Sequence, residues 1–223
     1  MIFQEYPDRE LMMISLADHL ASELGAALRQ QGTATLAVPG GTTPGPIFDT
    51  LCAVDLDWAN VNVMLTDERW VPESSDRSNT RLLRERLLVE NAAAANLVPF
   101  YADAPAPEDK LVELSQGIEA VLPISVLLLG MGADMHTASL FPGADRLEEA
   151  MSDDAPVLVP MRAPGAPEPR MTLSAPVLQG ALNTHIVITG TEKRAALERA
   201  ETLDPSEAPV AAVLKNATVH WAE

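Results

Sequence analysis

Thr33-Ala34-Thr35-Leu36-Ala37-Val38 runs into Pro39-Gly40-Gly41-Thr42-Thr43-Pro44-Gly45, and an apolar helical pattern, Ile47-Phe48-Asp49-Thr50-Leu51, comes directly after. A short, continuously apolar run reads as a strand buried on both faces. The glycines let the chain turn sharply, Thr43 is a competent N-cap, and Pro44 suits the first helical position. This predicts a strand, a tight turn, and a helix whose free N–H groups and positive dipole end suit a phosphate. The same residues would also make a plain strand-to-helix turn, so the rest of the chain has to decide.

On either side the pattern repeats. Residues 10–31 place apolar side chains at three- and four-residue steps until Gly32, which predicts an opening helix. Further buried strands are expected at Val61–Thr66, Ile124–Leu129, Val157–Val159 and His185–Thr189. Helices are expected at Asn79–Glu90, Glu108–Val121, Ala175–Leu182 and Glu192–Glu201, with Ala92–Ala95 ending a helix. Strand then helix, repeated, predicts an α/β fold: a doubly wound, mainly parallel sheet with helices on both faces. The proline-rich piece 155–169 reads as a surface loop, and the segment C-terminal to it is too short to bury its own core. Residues 1–223 therefore read as a single domain.

Composition narrows the function. Fifteen Lys and Arg against 32 Asp and Glu give a formal charge of −17, and 47% of residues are hydrophobic. A charge of that sign with no basic cluster repels a polyphosphate backbone and an anionic lipid surface, so neither nucleic acid nor membrane is an expected partner. One cysteine, Cys52, cannot form an internal disulfide, and four scattered histidines show no zinc-ligand spacing, so no metal site is expected. The N-terminal residues lack a basic segment leading into an apolar run, and no stretch reads as 18 or so apolar residues in a row. A cytoplasmic location is the resulting expectation.

Two further strand ends carry chemistry. At Leu65-Thr66-Asp67-Glu68-Arg69-Trp70 a buried strand meets two acids and an arginine, groups able to position a proton transfer and to grip a phosphate. At Leu129-Gly130-Met131-Gly132-Ala133-Asp134-Met135-His136 a glycine-rich loop carries an imidazole beside an acid, suited to general base work. The spacing is not a dinucleotide fingerprint, because Met135 stands where the third glycine would be. Arg170 and Lys193, each expected at a strand–helix junction, are weaker candidates for an anionic ligand.

Together these motifs resemble the 6-phosphogluconolactonase family. The resemblance rests on Gly40-Gly41-Thr42-Thr43-Pro44, on Asp67-Glu68-Arg69 with Val71-Pro72 and Ser78-Asn79, and on His136-Thr137-Ala138-Ser139-Leu140-Phe141-Pro142-Gly143. Arg170-Met171-Thr172 and Gly190-Thr191-Glu192-Lys193 complete it. It implies the fold shared with glucosamine-6-phosphate deaminases and hydrolysis of the δ-lactone of 6-phosphogluconate in the pentose phosphate pathway, without metal or cofactor. His136 would be the general base, with Asp67 or Asp134 orienting it. Gly40, Gly41, Thr42, Thr43, Arg69, Arg170 and Lys193 would bind the phosphorylated sugar lactone.

The related deaminases typically continue His-x-Ala with Phe-Asn-Glu, where this chain has Ser139-Leu140-Phe141, and read Asp-Glu-Tyr where Arg69 stands here. Both differences favour the lactonase. Met135 replaces the glycine that lactonases usually carry before the histidine, which strains the backbone if φ is positive there, and Pro39 replaces a common serine. An amino-sugar-phosphate deaminase or isomerase of the same fold, or a non-catalytic sugar-phosphate sensor, are the alternative readings. The oligomeric state is not legible.

Overall fold

In the computed structural model, which describes residues 1–223, the predicted alternation is present and extended at both ends. The strands are β1 (Ile2–Glu5), β2 (Ala34–Val38), β3 (Val61–Leu65), β4 (Asp67–Arg69), β5 (Asn96–Leu97), β6 (Val126–Gly130), β7 (Leu158–Met161), β8 (Arg170–Leu173), β9 (Asn183–Thr189) and β10 (Ala217–Ala222). The helices are α1 (Arg9–Gln31), α2 (Gly45–Leu51), α3 (Asn79–Arg86), α4 (Leu111–Glu119), α5 (Leu147–Met151), α6 (Ala175–Gln179), α7 (Thr191–Ala200) and α8 (Ala211–Leu214).

Seven strands form one wholly parallel sheet in the order β1-β10-β9-β6-β2-β3-β5. Every residue of β2 is buried, as are all but the last of β6, so both faces of the sheet centre are covered. The chain runs outward from β2 through β3 to β5, then returns to β6 on the other side of β2 and proceeds to β9 and β10. Strand order thus reverses between β2 and β6, and ligands of such sheets bind outside the carboxyl ends at that reversal.

Several expectations need correction. Val157–Val159 is not part of the parallel sheet. Its strand, β7, joins β8 and β4 in a separate antiparallel sheet of three; β7 and β8 are near neighbours in the chain, but β4 lies about a hundred residues before β8, a pairing that leaves no local signature. The edge strands β1 and β5, and β10 next to β1, are additions to the predicted set; the first two are short and partly exposed, and β10 interrupts its apolar run with Thr218 and His220. The helix expected to Glu90 stops at Arg86, because Val89 is extended and Glu90 sits at φ 50°. Ala92–Ala95 accordingly falls on a short 3-10 turn, Glu90–Ala94, rather than on an α-helix end.

Helix α1 is, contrary to the sequence reading, long and apolar enough by length and composition to cross a membrane. In the fold it is a core helix: Met12, Leu16, Leu20 and Leu24 are fully buried and the helix packs against β2, β6 and β10. Asp8 caps its first turn by accepting from the Leu11 N–H at 2.8 Å, and Gly32 closes it at φ 78°, where a side chain would be strained.

Candidate active site

The loops leaving β2, β3, β6 and β9 converge on one cleft of about 300 Å³, lined by Gly40, Thr42, Asp67, Arg69, His136, Arg170 and Lys193 among others. All the sequence candidates meet here except Asp134, which reaches the cleft only through His136.

The turn after β2 behaves as predicted in part. Gly41 has φ 85°, and the backbone N–H groups of Gly40, Gly41, Thr42 and Thr43 have no hydrogen-bond acceptor within the chain. The helix start itself differs: Pro44, not Thr43, is the N-cap residue, and no side chain caps α2. Pro44 and Pro46 carry no N–H, so the donors available to an anion belong mainly to the turn and not to the helix end.

β3 passes through Thr66 directly into β4, which pairs antiparallel with β8 so that Asp67 faces Thr172 and Arg69 faces Arg170. Arg170 is therefore a buried strand residue and not the strand–helix junction expected. Two like charges opposite one another across a strand pair are destabilising unless something anionic compensates. Asp67 compensates in part, 3.6 Å from Arg170. Burial pushes the Arg170 guanidinium below its ordinary value; Asp67 opposes that shift and Arg69 adds to it. Arg69 spends one N–H on the Arg77 carbonyl at 2.6 Å, while the Nε of both Arg69 and Arg170 is buried without an acceptor. Lys193, in the first turn of α7 behind Gly190 at φ 83°, is likewise held below the usual lysine value by burial, with Glu192 pulling the other way.

His136 stands on the loop after β6. Its Nδ1 lies 2.5 Å from Asp134 Oδ1, which also accepts the His136 N–H at 3.2 Å. Gly132 is required beneath them, since a Cβ there would collide with the imidazole and the carboxylate. Met135 indeed has positive φ, 67°, and Ala138 lies beyond it at 48°, so the histidine is carried between two strained residues. One face of the imidazole rests on Phe141, ring centroids 4.3 Å apart, and Arg170 covers the same ring at 5.6 Å.

Three participants have no role assignable from the sequence. Asn79 lines the cleft against Gly40 and donates to the Asp67 carbonyl at 3.0 Å. Ser139 donates to Asp67, and Thr172 accepts the Ser139 N–H at 3.2 Å. All three lie within the motifs that carry the family resemblance, and Asn79 comes directly after Ser78, the N-cap of α3, but neither signal says what they do.

A parallel sheet with cations, an imidazole and free N–H groups at its reversal point defines an α/β protein with a cleft suited to an anionic ligand. Residues 7–221 match the model of glucosamine-6-phosphate isomerases/6-phosphogluconolactonase, and the chain belongs to that family, on its lactone-hydrolase side. A 6-phosphogluconolactonase of Rhizobium meliloti is 43% identical over 216 residues, 93% of each chain. The crystal structure of a 6-phosphogluconolactonase from Shewanella baltica superposes with a TM-score of 0.96 at 32% identity, covering 100% of this chain and 97% of that one. A monomeric glucosamine-6-phosphate deaminase shares the fold, with a TM-score of 0.80 at 17% identity over 99% of this chain and 97% of its own.

Proposed function

We propose that residues 1–223 act as one cytoplasmic catalytic domain that hydrolyses 6-phospho-D-glucono-1,5-lactone to 6-phosphogluconate, with His136 as general base. The observation that carries the reading is the Asp134–His136 pair beside two facing arginines. With Asp134 accepting from Nδ1–H, the imidazole keeps Nε2 as its basic nitrogen. Nε2 takes a proton from water as the water oxygen bonds to the lactone carbonyl carbon. The resulting oxyanion is met by the unpartnered N–H groups of Gly40, Gly41 and Thr42. The bond from that carbon to the ring oxygen then breaks, and the imidazolium returns its proton to the departing oxygen, giving the acid and a free hydroxyl.

Arg69, Arg170 and Lys193 hold the phosphate, whose charge compensates the two facing guanidiniums; Thr43 completes that end of the cleft. Asp67 serves Arg170 and Ser139, which leaves Asp134 as the acid that orients the base. At Phe141, where deaminases carry a glutamate, an apolar ring lies against His136, and this favours lactone hydrolysis over deamination.

Purified protein is offered 6-phosphogluconolactone and, separately, glucosamine 6-phosphate, with acid and ammonia release monitored. Acid from the first and no ammonia from the second is expected. His136→Ala should lower kcat by roughly a hundredfold or more; a folded variant with wild-type kcat would end the general-base reading.

A further inference from the structure

Between the cleft residues Asp67 and Arg69 stands Glu68, which the strand alternation turns to the other side, away from the cleft. It is fully buried. A buried carboxylate is costly unless its oxygens are satisfied, and no cation lies within ion-pair distance of this one. Hydrogen bonds take that place. Oε1 accepts from the N–H of Arg69 at 2.7 Å and of Asn79 at 2.8 Å. Oε2 accepts from the N–H of Thr80 at 2.8 Å, from Thr80 Oγ1 at 2.7 Å and from Ser78 Oγ at 3.2 Å. Two of these donors are the first free N–H groups of α3, at its positive dipole end.

The residues so held face the cleft. Asn79 turns its amide to the Asp67 carbonyl and fills the space beside Gly40, where a Cβ would collide with it. Arg69 lines the cleft opposite Arg170.

We propose that Glu68 is a positioning residue: through the backbone N–H groups of Arg69 and Asn79 it ties β4 to the start of α3 and so fixes the Arg69 side chain in the cleft, setting substrate affinity through Arg69 without touching substrate. This rests on Arg69 being a substrate ligand. The carboxylate is needed as such. In Glu68→Gln one oxygen becomes an NH₂ group; in either orientation it faces at least one backbone N–H that cannot turn to accept, so the start of α3 must shift.

The test is a cycle of KM and kcat for wild type, Glu68→Gln, Arg69→Ala and the double variant. Glu68→Gln should raise KM about tenfold with kcat within about twofold, and in the Arg69→Ala background its effect on KM should fall to within about twofold, as coupled neighbours are non-additive. Equal KM factors in both backgrounds, or a fall in kcat at unchanged KM, would overturn the role. So would a KM rise from Glu68→Gln when Arg69→Ala has none. Thr80→Val removes only one bond to Glu68 and covers the case that Glu68→Gln does not fold: a smaller KM rise is expected, and an unchanged KM overturns the proposal. An Arg69→Ala loss equal for the phosphorylated and the plain gluconolactone would overturn the phosphate reading, and the same cycle would still report the coupling.

Discussion

Ser139 donates its hydroxyl to Asp67 at 2.5 Å, in a buried contact that joins residues 72 positions apart. With Arg170 on its other flank, Asp67 is engaged by its own neighbours, while Asp134 meets His136 two residues along the same loop. On the proposed mechanism the two acids therefore take different roles. Asp134→Asn can present an amide N–H to Nδ1 and turn the imidazole into the tautomer protonated at Nε2. We expect kcat to fall by roughly 10²–10⁴ with KM nearly unchanged, the scale seen when an orienting acid is lost. Steady-state rates corrected for spontaneous hydrolysis check this, and a kcat within a few-fold of wild type would return the role to Asp67.

The loop that carries His136 leaves little freedom. In Gly132→Ala the new Cβ would meet the imidazole and the Asp134 carboxylate, and a displacement on the order of 1 Å costs roughly a hundredfold in rate. Stability should change far less than kcat. Met135 makes the complementary case: at φ 67° the β-branched variant Met135→Val should destabilise by about 1–3 kcal/mol, whereas Met135→Gly should not, because glycine occupies that region freely. Denaturant midpoints for the pair decide it, and equal losses would show that the backbone there is unstrained.

Locality governs how much of this is legible in the sequence. β2, β3, β6 and β9 are readable because both faces of the sheet centre are covered and their residues form continuous apolar runs. The second sheet is legible only in part: Val157–Val159 reads as a strand, but Asp67-Glu68-Arg69 reads as charges at the end of β3, and only pairing with residues 170–173 makes it a strand of its own. The same pairing sets Arg69 against Arg170, so the character of Arg170 depends on a contact no window contains. Likewise, the proposed preference for Asp134 over Asp67 rests on Ser139, which only the folded chain brings to Asp67.

Lys193 gives a pH signature. Burial holds its ammonium below the ordinary lysine value, so its charge is lost as pH rises through a value under 10.5. A neutral amine no longer attracts phosphate. The dissociation constant of the product, 6-phosphogluconate, should then rise on the alkaline side, and Lys193→Arg should flatten that limb because arginine stays charged. Product is the better probe, being stable where the lactone is not. An alkaline limb identical in both proteins would assign it elsewhere.

The last prediction concerns stability. A hydrogen-bonded line runs through the core from α1 to the sheet edge: Glu23 Oε2 to His185 Nε2 at 2.8 Å, His185 Nδ1 to His220 Nε2 at 2.9 Å, and His220 Nδ1 to the Tyr6 hydroxyl at 2.8 Å. One assignment satisfies every atom with both rings neutral: Tyr6 donates to His220, His220 to His185, and His185 to Glu23. Burial, then the neighbouring His185 and His19, push His220 down to about 3, against 6.5 for an unperturbed imidazole. Below 6.5 the unfolded chain binds a proton that the folded chain refuses, so this contribution to stability is complete above pH 6.5 and drains away as pH falls toward 3. The loss amounts to a few kcal/mol by the bottom of that window. Carboxylates whose values are lowered by pairing, such as Glu108 and Glu168, lose their contribution only as pH drops below the ordinary carboxylate value of 4.5. Between pH 6.5 and 5 the slope therefore belongs chiefly to His220. Urea midpoints across that interval should decline in the wild type and stay flatter in His220→Gln, which keeps a donor and an acceptor without titrating; parallel curves would mean that the buried histidine does not set the acid limb.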